Sequence, residues 1–183
     1  QEEGQAFMER AVQGLREQVV VENLDTLTTM QNLARQYAAT DRLEEAVVLC
    51  QESVDVFVRY HGEREPRTLM AIGNLARLYV DLEMPEKAEP LYRRYQEGLV
   101  RVLGAGHPDA LVAAANLARF LRSRQKDDEA MAVLAAASEA GVALHGPSNT
   151  VVNRIRVLHS GRLFIALRFD VADELVLEFC EAA

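Results

Sequence analysis

Apolar residues along this chain recur at spacings of three and four, the period of one face of an α-helix, in segment after segment. Phe7, Met8, Ala11, Val12, Leu15 and Val19 form one such stripe and predict a helix over residues 5–21. Leu27, Met30, Leu33, Ala34 and Tyr37 form another, within a helix expected over 25–39. Thr40 and Asp41 mark a turn, and a further helix starting near Leu43 carries Ala46, Val47, Leu49, Cys50, Val54, Phe57 and Val58 until Gly62, a left-handed stop, closes it. The same reading predicts helices over 67–81, 85–103, 110–124 and 127–144, and a weaker one over 151–167. Pro66 and Pro85 are suited to the first turn of a helix. Pro90 falls inside a predicted helix, where it removes one internal hydrogen bond and can bend the axis.

The helices come in a fixed register. Asn-Leu-Ala-Arg occurs at 32–35, 74–77 and 116–119, a constant interval of 42 residues. Ala46, Ala88 and Ala130 keep the interval, each after a charged residue, and Gly62, Gly104 and Gly146 close three units in step. A period of this size marks a solenoid, in which each unit is one helix pair that cannot bury its apolar face alone. Residues 1–21 overlay the second helix of a unit, so they read as half a repeat. Residues 22–64, 65–106 and 107–147 are three full repeats, and 148–183 is a degenerate one, all in a single array. That gives nine helices and no sheet.

Helix pairs with Asn-Leu-Ala-x-x-Tyr in the first helix and an early Ala in the second resemble tetratricopeptide repeats. The 42-residue length, the run Glu86-Lys87-Ala88-Glu89-Pro90-Leu91-Tyr92, Leu103-Gly104 and His107-Pro108-Asp109 are similar to the kinesin light chain class of these repeats. The similarity is strong over 22–135 and weak after 148. It implies a right-handed α-solenoid of antiparallel helix pairs whose first helices line a concave surface. It also implies that the Asn of each first helix faces a peptide there.

Composition narrows the function. A formal charge of −8 over 183 residues argues against nucleic acid and against electrostatic attachment to anionic lipid. The apolar runs are too short to span a bilayer. Of the 20 basic residues all but Lys87 and Lys126 are Arg, whose planar fork suits carboxylates and carbonyls. Cys50 and Cys180 lie in apolar stretches and read as reduced core thiols, which points to a reducing, cytoplasmic setting. The chain starts with Gln, so it is expected to be a fragment or a processed product.

Stacked repeats would bring Asn32, Asn74 and Asn116 into one row and Arg35, Arg77 and Arg119 into another, with Arg122 extending the second. Amides can donate to and accept from a peptide backbone, and guanidiniums can hold its carboxylates. Gln31, Thr28 and Met70 are further lining candidates. The competing account is that the Asn residues brace neighbouring helices and the Arg residues are solvated. No catalytic, cofactor or metal constellation stands out: His61, His107 and His145 sit beside glycines at helix ends, and Gly104-Ala105-Gly106 lacks the Lys and strand of a phosphate loop. The expected function is a non-catalytic protein-interaction module that takes a peptide segment, with acidic residues favoured, and no cofactor. The alternatives are a scaffold self-associating through its terminal repeats and a regulatory array from a larger enzyme or signalling protein.

Overall fold

The computed structural model describes residues 24–160, with side chains described for 27–158. Seven helices lie in this span: α1 Leu24–Ala39, α2 Leu43–His61, α3 Pro66–Asp81, α4 Pro85–Leu103, α5 Pro108–Ser123, α6 Asp127–His145 and α7 Thr150–Ser160. No strand occurs among the described residues. The helix expected over 5–21, with Phe7, Met8 and Val12, and the last of the expected nine lie outside the described residues. Every predicted helix within the span is present, each end within two residues of its expected place, except that the helix expected over 151–167 is described only to Ser160.

The period has a simple physical composition. First helices are 16 residues long and second helices 19, joined alternately by turns of three and four residues. Connections that short turn the chain back on itself, so consecutive helices pack antiparallel. Packing divides the chain into two compact units, one ending at Gly98 and the other beginning at Leu99, inside α4. In the first unit α1 packs on α2, α2 on α3, and α1 on α3; in the second, α5 packs on α6, α6 on α7, and α5 on α7. Within each unit the leading first helix, α1 or α5, therefore rests on its own partner and on the next first helix. Leu27, Leu33, Leu69, Ile72, Leu75 and Leu78 fill one core, and Leu111, Leu117, Leu121, Leu134 and Val152 the other.

Both kinds of turn repeat at the backbone level. Asp41, Glu83 and Gln125, 42 residues apart, have φ of 63°, 56° and 61°. Each lets the next residue's N–H reach back to the carbonyl of Tyr37, Tyr79 or Leu121, at 2.9, 2.8 and 2.9 Å. This is the Schellman stop, usually made with Gly. At the first of these turns the Arg42 guanidinium stacks 4.1 Å from the centre of the Tyr37 ring and pairs with Glu45. The glycine stops differ from the expectation of a left-handed cap. Gly62 has φ 81° and ψ 166°, a positive φ with extended ψ that only Gly adopts readily. Pro90 leaves α4 unbroken: the helix runs through it from Pro85 to Leu103.

Close approach at the helix crossings depends on small residues. A Cβ on Gly98 would stand 2.3 Å from the Leu69 side chain, and one on Gly73 would meet the Tyr95 ring at 3.0 Å. Cys50 is a free thiol with no exposed surface. Burial pushes it up to about 11, against the opposing pull of its Gln31 hydrogen bond and the Arg77 charge. Cys180 lies outside the described residues.

Glu83→Gly should stabilise the fold by about 0.5–1 kcal/mol, because it removes a left-handed residue with a Cβ at the cost of some unfolded-state entropy. Gly62→Ala should destabilise it by about 1–2 kcal/mol although nothing lies within 4 Å of the new methyl. Urea titrations followed by circular dichroism read both, and equal, near-zero shifts would refute the turn geometry. Iodoacetamide at pH 8, applied to a Cys180→Ser variant, should leave Cys50 unmodified in native protein while labelling it fully in denaturant, since the buried thiol stays protonated. Comparable rates in the two states would contradict its burial.

Candidate functional site: the exposed face of the first helices

In a first helix with Leu33 turned into the core, Asn32 and Arg35 fall three apart on the outward side. The structure leaves both exposed. One repeat later Asn74 and Arg77 are half-buried on α3, because α1 and α3 lie side by side and each narrows access to the other. The seam between them is a shallow crevice with room for about one water molecule, lined by Gln31, Arg35, Cys50, Asn74 and Arg77. A ligand would lie across this seam rather than sink into it. Met70, 43% exposed, lies one turn before Asn74 on α3.

The two arginines are not equivalent. Arg77 pairs with Asp81 one turn on, at 3.2 Å, with both groups about a third exposed. A surface pair of this kind holds the guanidinium in place but contributes little stability, roughly 0.3–0.5 kcal/mol. Arg35 has no ion-pair or hydrogen-bond partner among the described residues, so its whole fork is free to accept a carboxylate.

Beneath the crevice is a polar cluster that the repeat pattern does not announce. Gln31, expected as a lining residue, is 8% exposed. Its Nε2 donates to Ser53 Oγ and, at 3.4 Å, to Cys50 Sγ. Its Oε1 accepts from Asn74 Nδ2 at 3.0 Å. Asn74 therefore braces the junction between repeats while it also lines the crevice. The available signal was the register. Positions 31, 73 and 115 hold Gln, Gly and Ala, and positions 53, 95 and 137 hold Ser, Tyr and Ala. A polar pair in slots otherwise filled by small or aromatic residues points to a local network.

In the second unit, Asn116 is half-buried and Arg119 exposed on α5. Arg119 has no ion-pair or hydrogen-bond partner among the described residues. Arg122 is turned elsewhere. Its side chain is 12% exposed, with Nε 3.8 Å from Asp127 and Nη2 3.2 Å from Met131 Sδ, both on α6. Helix-end histidines take structural roles: His107 caps α5, its Nδ1 accepting from the Asp109 N–H at 3.2 Å, and His145 Nε2 lies 2.8 Å from the Gly106 carbonyl. Among the described residues no group of three His, Cys, Asp or Glu could hold a metal ion, and no helix is long and apolar enough to cross a membrane.

Comparison with known proteins agrees with the fold. The sequence profile of the tetratricopeptide repeat matches residues 25–99. No curated protein sequence matches the chain. Among solved structures, the nearly identical TPR-like repeats of a candidate kinesin light chain of Podosopora anserina superpose with a TM-score of 0.78 at 20% identity, covering 96% of this chain and 83% of that one. A variant of that protein gives 0.79 at 20% identity, with 97% and 84% covered. BtubC (BKLC) from P. vanneervenii gives 0.66 at 19% identity, with 85% and 63% covered. Residues 25–99 match the tetratricopeptide repeat, and the fold of the chain, helix pairs packed antiparallel, is similar to that of the kinesin light chain TPR-like repeats.

Proposed function

We propose that this chain is a non-catalytic interaction module that binds an extended, acidic peptide segment of a protein partner across the first helices of its repeats. The observation that carries this reading is the seam between α1 and α3, where Arg35, Asn74 and Arg77 line one crevice and Arg35 has no partner among the described residues. Tetratricopeptide folds generally mediate protein–protein contact, which supports a protein partner as a class. The acidic preference rests on the guanidiniums: two cations at one seam of a chain with a net charge of −8 form a local site for carboxylates on an otherwise repelling molecule. Asn32 is a further contact in the first unit, and Asn116 and Arg119 are the equivalent candidates on α5 of the second unit taken by itself. Arg122 belongs with the packing of α6 rather than with this face.

The test is fluorescence polarisation of labelled acidic peptides against the full chain. Arg35→Glu should weaken binding about tenfold or more, roughly 1.4 kcal/mol, with helix content unchanged, since Arg35 makes no internal contact to lose. Binding should also weaken as sodium chloride rises, because the pairs are partly exposed. Arg35→Glu binding as tightly as wild type would remove the acidic seam from the account. Unchanged binding by Arg77→Glu as well would move the partner site off the first helices altogether.

A further inference from the structure

Gln31 occupies the slot that the next two repeats fill with Gly73 and Ala115. A primary amide at that depth must satisfy an acceptor and two donors without help from bulk water. The surrounding groups do this with the amide nitrogen toward Ser53 and the amide oxygen toward Asn74. Ser53 Oγ donates its single proton to the carbonyl of Cys50, 2.8 Å away and one turn back in α2. A hydroxyl whose proton is committed can only accept, so it is Nε2 of Gln31 that faces Ser53. Oε1 is then turned toward α3, where it accepts from Asn74 Nδ2 at 3.0 Å. Asn74 meets it with its amine end, which leaves Oδ1 with no partner among the described residues and not enclosed within the fold. A hydrogen-bond relay thus runs from a backbone carbonyl in α2, through Ser53 and Gln31, to the surface of α3. Each member fixes the direction of the next.

We infer that Gln31 is a positioning residue: it holds the Asn74 amide so that Oδ1, an acceptor, is presented between Arg35 and Arg77, and the seam therefore selects an acidic peptide segment with a free main-chain N–H next to its carboxylates. An unconstrained Asn can offer either end and reads a peptide N–H and C=O alike. A clamped one reads only donors. The neighbouring arginines read only acceptors, so the seam carries a directional pattern that fixes the register of the bound strand. Asn116 has no such device in its sequence register, where the counterpart of Gln31 is Gly73. Asn74 is thereby singled out from the row. The inference rests on the acidic-peptide reading of the same seam.

The probe is a terminally blocked, fluorescein-labelled peptide of Glu, Asp, Ala and Leu, with analogues each N-methylated at one backbone nitrogen. In wild type one methylated position should weaken binding about tenfold, the loss of one well-placed hydrogen bond near charged groups. In Gln31→Leu, which keeps the buried volume close, that sensitivity should fall below about threefold because Asn74 is free to turn. Ser53→Ala, a gentler change that releases the other end of Gln31, should shift it the same way and covers the case of a poorly folded Leu variant. Equal sensitivity to N-methylation in wild type and both variants would overturn the inference. If wild type binds none of the peptides, the acidic-peptide reading fails, and the relay is read without ligand from the Asn74 side-chain amide protons by NMR. Slow exchange in wild type that is lost in Gln31→Leu sustains the relay; identical exchange in the two overturns it.

Discussion

Stability here depends on filling the narrow space where two helices of a pair cross. Helices of 16 and 19 residues are marginal in water by themselves, so their stability must come from packing of their apolar faces. The crossing tolerates only a limited side-chain volume, and the repeats divide that volume differently. Gln31 is opposed to the small Ser53, Gly73 to the large Tyr95, and Ala115 stands in register with Ala137. A long side chain on one helix is offset by a short one on the other. Interiors packed to crystal density have no slack for two large residues at one crossing or for two absent ones.

That division of volume has a chemical consequence. Where the pair is Gly73 and Tyr95, the junction is filled by a ring. Where it is Gln31 and Ser53, the junction is polar, and its hydrogen bonds must be closed internally because little water reaches them. The network closes by reaching to Asn74, on the next first helix. A packing solution in one repeat thereby sets the orientation of a polar group on the exposed face of another. Cys50 belongs to the same cluster. Its thiol lies 3.8 Å from the Ala71 carbonyl as well as beside Gln31, and its burial keeps it protonated rather than reactive.

The architecture was legible because it is written redundantly. Three copies of Asn-Leu-Ala-Arg, three glycines in step and the three-and-four spacing of apolar residues each lead to the same helix pairs. The backbone repeats the register again in the left-handed residues Asp41, Glu83 and Gln125. The exposure of Asn32, Arg35 and Arg119 follows from the same spacing. What could not be read from one copy of a motif was the divergence between copies. Asn74 and Asn116 share a motif but not a neighbour, because the residue that meets Asn74 is Gln31, 43 positions earlier, and the same slot before Asn116 holds Gly73. Arg122 looked like an extension of the Arg row, one turn beyond Arg119. It turns away because Asp127 and Met131, on the following helix, offer both an ion pair and cover for its stem.

The central claim is that the partner lies across the first helices. The competing surface in the first unit is the open groove between α2 and α4, where Val58 and Leu91 are flanked by Gln51, Arg59 and Arg94. Chemical-shift mapping on isotope-labelled protein, titrated with an acidic peptide, separates the two directly. The account predicts that the largest perturbations fall on Arg35, Met70, Asn74 and Arg77, with the side-chain amide of Asn74 among them. Perturbations centred on Gln51, Val58, Arg59, Leu91 and Arg94, with the first-helix residues unmoved, would contradict it.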